Sequence, residues 1–107
     1  MLPYPEPLAE PELRQVIDAA RGAGELFYSS RLFDKLAKHG VSIQDLLHIC
    51  RHWELIRTTR WVQGEWRYRI EGPTLDGKWM AAVVSVKTSS SVVVITGFRF
   101  ARGKKKR

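Results

Sequence analysis

A chain of 107 residues, 44% of them apolar, is long enough to bury one hydrophobic core and too short for two, so one domain is expected over residues 1–101. The single cysteine, Cys50, excludes a disulfide framework or a thiolate metal cluster within the chain; no apolar run reaches the roughly 18 residues of a membrane span, and Met1 to Pro7 lacks the order of a signal peptide, so a cytoplasmic protein with no membrane partner is expected. The formal charge of +7 divides unevenly: residues 1–25 carry five acids against Arg14 and Arg21 (−3), residues 26–101 carry eleven bases against six acids (+5), and Arg102-Gly103-Lys104-Lys105-Lys106-Arg107 adds +5.

The acidic stretch 1–25 reads as an N-terminal extension that contains a helix. Glu10-Pro11-Glu12 places proline and acids where a helix start tolerates them. Leu13, Val16, Ile17 and Ala20 follow at helical spacing, and Gly22-Ala23-Gly24 supplies a stop. Leu26-Phe27-Tyr28 is a candidate edge strand. Ser29 or Ser30 is expected to cap a second helix that presents Leu32, Phe33, Leu36 and Ala37 to the core, with Gly40 at its left-handed end. Ser42-Ile43-Gln44-Asp45 has the form of a capping box, flanked by Val41 and Leu46 at hydrophobic-staple positions. A third helix therefore starts at Ser42, carries Ile43, Leu46, Leu47 and Cys50 as its apolar stripe, and ends near His52.

From Trp53 onward four antiparallel strands are expected, which makes the fold α+β, with two or three helices on one face of the sheet. A two-residue turn at Gln63-Gly64 sets Trp61 opposite Trp66, Thr59 opposite Tyr68 and Arg57 opposite Ile70 on the core face. Arg60, Arg67, Arg69, Thr58, Val62 and Glu65 fall on the other face, with Arg60 directly across from Arg67, a like-charge pair that opposes folding. A three-residue loop at Leu75-Asp76-Gly77 then gives Met80, Ala82, Val84 and Val86 to the core, and Ser85 and Lys87 to the arginine face with Lys87 opposite Glu65. The last strand, Val92 to Phe100, is too uniformly apolar to fix its parity, and with it the side taken by Arg99. The terminal Lys/Arg run, 102–107, reads as a disordered tail that binds any polyanion through counterion release.

A guanidinium cluster holds phosphate through bidentate hydrogen bonds and stabilises charge that develops on non-bridging oxygens. Arg60, Arg67 and Arg69, joined by Lys87 and Arg99, are the expected phosphate-binding group; a solvated polar face is the simpler alternative. His48 and His52 share a helix face, but Cys50 belongs to the apolar stripe and no third ligand lies nearby, so neither a metal nor another cofactor is expected. Of the four tryptophans, Trp53, Trp61 and Trp66 share the core parity, leaving Trp79 as the one expected to be exposed for stacking. Lys35 and His39 are the candidates for general acid and base.

Residues 28–100 resemble the bacterial domain-of-unknown-function family 4258, which is grouped with the BrnT and RelE/ParE toxins. The resemblance lies in the run from Ser29 to Ser42, in the turn from Gly72 to Met80 and in Val94-Ile95-Thr96-Gly97-Phe98. Where that family's helix offers a histidine, an arginine and a second arginine before the glycine, this chain has Arg31, Lys35 and His39. The resemblance implies a compact helices-plus-sheet fold, metal-independent cleavage of RNA, and a cognate antitoxin as partner. Lys35, His39 and Arg67 would then be catalytic, and Arg31, Arg60, Arg69, Lys87 and Arg99 would hold RNA. Two further readings come from the residues themselves. One is a non-catalytic nucleic-acid- or partner-binding module, and the other a small domain that joins its own copies. The acidic first 25 residues are also expected to be able to fold back over the arginine face.

Overall fold

The computed structural model describes residues 6–100. Both the opening residues 1–5 and the expected tail at 102–107 lie outside them. Three helices and five strands follow in the order α1 (Glu10–Ala23), β1 (Leu26–Tyr28), α2 (Leu32–Lys38), α3 (Ile43–His52), β2 (Leu55–Val62), β3 (Glu65–Pro73), β4 (Trp79–Thr88) and β5 (Ser91–Arg99). The sheet order is β1-β5-β4-β3-β2. The sheet is therefore mixed and five-stranded, where four antiparallel strands were expected: Leu26–Tyr28 pairs in parallel with Val92–Val94. Leu26–Tyr28 is the edge strand that its apolar run suggested; what no local pattern supplies is its parallel partner, which lies far along the chain.

The local signals operate as their chemistry predicts. Glu12 accepts a hydrogen bond from the Ala9 N–H at 2.9 Å at the start of α1, and Gly24 closes that helix at φ 74°. Ser42 Oγ accepts from the Asp45 N–H at 3.1 Å, while Val41 and Leu46 are both buried beside it. Asp45 turns its own carboxylate to the Leu75 N–H at 3.3 Å, which ties α3 to the β3–β4 loop. That loop has the expected three residues, closed by the Thr74 N–H to the Lys78 carbonyl at 2.6 Å with Gly77 at φ 82°.

One core joins all three helices to one sheet face, through Leu13, Val16 and Ile17 of α1, Leu32 and Leu36 of α2, and Leu46, Ile49 and Cys50 of α3. They meet Tyr68, Ile70, Met80, Ala82, Val84, Val86, Val92 and Val94. Several expected core positions lie elsewhere. Phe33 is 55% and Leu47 42% exposed, and Ala37 is exposed as well. In α3 the buried stripe is Leu46, Ile49, Cys50 and then Trp53, one position round from the expected face. Trp61 keeps the parity and the edge-on contact with Trp66, 5.0 Å between rings, yet is 46% exposed because the helices pack on β3, β4 and β5 and leave the turn end of β2 uncovered. Trp79 is the reverse case. It is only 8% exposed, and its indole N–H donates to Glu71 at 3.3 Å. Neither Ser29 nor Ser30 caps α2, whose N-cap is Arg31 with no side-chain cap; the Ser29 hydroxyl donates instead to the Ile95 carbonyl at 2.8 Å.

Two bulges decide which side chains reach the sheet face opposite the helices. In β2 the pairing steps from Ile56↔Ile70 to Thr58↔Arg69, so Arg57 is the extra residue and does not face Ile70. In β5 it steps from Val83↔Thr96 to Val84↔Val94, so Ile95 is extra. Before that bulge the even positions Val92 and Val94 enter the core. After it Gly97 and Arg99 take the helix side, and Thr96 and Phe98 the open side.

A cationic cleft on the open sheet face

Lys35, Arg60, Arg67 and Arg69 converge on one cleft of about 370 Å³. The arginines come from the β2–β3 hairpin, with Arg60 directly opposite Arg67 in the pairing that the Gln63-Gly64 turn imposes. Lys35 arrives from the other side of the sheet. Because β1 pairs only with Val92–Val94, the later half of β5 is open on that edge, and α2 packs there. Leu32 and Leu36 turn into the core, and Lys35 reaches the same cleft as Ile95 and Thr96. Thr58 and Thr96 add hydroxyls to the wall, and Val62, Val83 and Phe98 make its apolar part.

Two carboxylates organise the charge. Glu71 is buried under the side chains it binds: Arg57 donates to it from Nε and Nη2 at 3.3 Å, Arg69 from Nε at 3.0 Å and Trp79 from Nε1 at 3.3 Å. Burial alone would raise its pKa. The Arg57 and Trp79 hydrogen bonds and the charges of Arg57 and Arg69 outweigh that, so the pKa lies below the usual glutamate value. Glu65 accepts from Arg67 Nε at 3.0 Å and from Lys87, the partner expected for it. Its pKa is also lowered, burial again being overcome by the hydrogen bonds from Lys87 and Arg67.

Five cations, Arg57, Arg60, Arg67, Arg69 and Lys87, thus stand against two carboxylates on this face, a surplus of three, and Lys35 adds a fourth at the rim. Among the described residues neither Arg60 nor Lys35 has an ion-pair partner, and no helix covers the cleft. Two like charges left opposite each other oppose folding. What such an arrangement can do is accept an anion, because guanidinium donors without a protein acceptor are satisfied only by water or ligand.

The remaining sequence candidates are placed less centrally. His39, at the end of α2, lies outside the cleft lining but its ring is 6.3 Å from that of Phe98. Arg31 sits one helical turn before Lys35 and is exposed. Lys87 is held at the margin by Glu65. Arg99 does not join the cluster: the Ile95 bulge carries it to the helix side, where a methyl group added at Gly40 would lie 3.5 Å from its Nη2. Among the described residues the acidic helix α1 does not cover the arginines either, since it packs into the core on the opposite face.

Three site residues escaped the sequence reading. Glu71 was legible, because Arg67, Arg69 and Glu71 alternate along one strand. Phe98 and Phe100 were not, because only the bulge sends them outward. The Arg69 guanidinium carbon lies 4.9 Å from the centre of the Phe98 ring and 5.2 Å from that of Phe100. A second, wider depression of about 550 Å³ lies on the helix side, lined by Arg21, Tyr28, Arg51, His48 and His52 among others. The two histidine rings there are 4.6 Å apart. Cys50 is buried, and burial pushes its thiol up to about 12 against the opposing charge of Arg21, which makes it an inert core residue. No protein-family model, curated protein or solved structure matches this chain.

Proposed function

We propose that this protein binds RNA, with the phosphate backbone held on the open sheet face by Arg60, Arg67 and Lys35. The observation that carries this reading is the meeting of four cations from three separate elements around one uncovered cleft, two of them without an ion-pair partner among the described residues. Neutralising phosphates releases condensed counterions, so affinity should fall steeply with salt. The test is fluorescence anisotropy of a labelled RNA over a salt series, comparing the full chain with Arg60→Gln and Lys35→Gln. Each variant should weaken binding and flatten the log–log salt slope by about one for each phosphate no longer neutralised. Repeating the pair in a chain lacking residues 102–107 separates the face from the tail. Equal affinity and slope in all face variants would mean that the tail alone carries any binding.

A RelE/BrnT-like, toxin-type endoribonuclease that needs no metal is the second reading, and the position of Lys35 in the cleft favours it. In that chemistry a base takes the ribose 2′-hydroxyl proton, arginines stabilise the phosphorane-like charge, and an acid protonates the leaving oxygen. Among the described residues Lys35 is the one acid-base group that lines this cleft, the arginines staying charged, so it would take one of the two roles and solvent water would exchange the other proton; Glu65 and Glu71 are held as charged acceptors by their arginines, and His39 would have to swing in past Phe98. Such an enzyme would have an antitoxin that covers the cleft. Expression of the wild type would arrest growth, and chelator-treated protein would leave 2′,3′-cyclic phosphate ends on RNA, both lost in Arg67→Ala. RNA that stays intact in the presence of the wild type leaves the binding reading alone.

A further inference from the structure

We infer that the open face is built for unpaired RNA, with bases stacked on the Phe98–Phe100 pair while the neighbouring arginines hold the backbone. This rests on the RNA reading of the same face and narrows its substrate to a single strand. Phe98 lines the cationic cleft itself. The two rings are 6.1 Å apart, both half-buried, and the Arg69 guanidinium lies within 4.9 and 5.2 Å of their centres. Glu71 fixes that guanidinium by accepting from its Nε at 3.0 Å, so Arg69 serves the rings while Arg60 and Lys35 remain for phosphate.

Large aromatic side chains on a sheet face next to unpaired cations have a specific use. In a duplex the base faces are stacked on one another, and only phosphates, sugars and groove edges meet the protein. In a single strand each base has a free π face that an aromatic ring or a guanidinium plane can take, whatever the base. A cleft of about 370 Å³ falls in the size range of small-molecule sites and offers room for a splayed nucleotide. A surface meant only for polyanions needs no ring in its cleft, whereas Phe98 lines this one.

The experiment uses the full chain with three fluorescent or competing probes: a single-stranded RNA of mixed sequence, a blunt RNA duplex of half that length so that the phosphate number matches, and inorganic polyphosphate. Single-stranded RNA should bind at least tenfold tighter than duplex at equal charge. Phe98→Leu, which keeps an apolar side chain but removes the ring, should lose about five- to a hundredfold of that affinity, the span expected for one stacked base. Phe98→Tyr should restore it, and polyphosphate binding should be the same in all three proteins. Equal affinity for duplex and single strand, or an unchanged Phe98→Leu, overturns the inference while the RNA reading stands on the Arg60→Gln result. Should Phe98→Leu fail to fold, photocrosslinking of 5-bromouridine RNA to the wild type decides. Adducts at Phe98 or Phe100 support the stack, and adducts confined to other segments overturn it.

Discussion

Glu71 is the side chain on which the charged face is assembled. It accepts hydrogen bonds from two arginines and a tryptophan while shielded from water, and the charge it carries is what lets Arg57 and Arg69 lie close together. Glu71→Gln keeps the shape and removes the charge. Because Arg57 remains largely in solvent, the loss is smaller than for a deeply buried pair, about 1–3 kcal/mol in chemical denaturation. Glu65 plays a different part, since it competes with any incoming anion for Arg67 and Lys87. Glu65→Gln should cost little stability and raise RNA affinity several-fold in the anisotropy assay; a weaker complex would mean that Glu65 orients Arg67 more than it neutralises it. Both glutamates have pKa values depressed by folding. Their contribution is therefore fully present above the unfolded-state value of about 4.3 and is lost as pH falls through the lower folded values. Stability measured by denaturant between pH 7 and pH 3 should decline mainly below about pH 4.3, and that acid-side decline should be reduced in Glu71→Gln.

At the level of elements, close approach and edge exposure shape the site. The chain leaving α3 crosses directly over Gly72 of β3, so that a methyl group there would lie 2.8 Å from the Trp53 Cα and 3.2 Å from the His52 carbonyl oxygen. Backbone cannot yield as a flexible side chain can. Gly72→Ala should therefore cost at least the 1–3 kcal/mol or so of overpacking, read as a lowered denaturation midpoint. Gly22→Ala is the contrasting case, because Gly22 lies within α1 with nothing within 4 Å of an added methyl. It should raise stability by up to about 1 kcal/mol through the backbone entropy it removes from the unfolded chain. The shortness of β1 matters more for function than for stability. By pairing with only the first part of β5, it leaves an edge where α2 can pack and send Lys35 to the far face.

Helix α1 and the arginine cluster lie on opposite faces of the sheet. Of the acidic stretch, the helix Glu10–Ala23 is part of the core, with Leu13, Val16, Ile17 and Ala20 buried, and is not a flap over the arginines. Three aliphatic side chains fully buried at about 1.5–3 kcal/mol each make a contribution as large as the entire net stability of a typical domain. A chain starting near Glu25 should accordingly fail to fold, giving a non-cooperative melt and aggregation on gel filtration. A folded truncated protein with raised RNA affinity would restore the idea of an acidic cover. Of the described residues, no helix is long and apolar enough to cross a membrane.

From the residues alone came the helices, with the caps of α1 and α3, the hairpin at Gln63-Gly64, the three-residue loop before β4 and the shared face of Arg60, Arg67 and Arg69, because caps, turns and two-residue alternation are local and act within a few positions. Tertiary structure alone decided the rest. The bulges at Arg57 and Ile95 each shift a strand by one residue, and a one-residue shift sends every later side chain to the other face. No parity could be read in Val92 to Phe100 because the strand turns even positions, Val92 and Val94, toward the helices before the bulge and odd ones, Gly97 and Arg99, after it. That exchange took Arg99 out of the cluster and brought Phe98 into it, and the parallel pairing of a three-residue strand left the gap through which Lys35 arrives. Such effects depend on partners far away in sequence, and no local pattern records them.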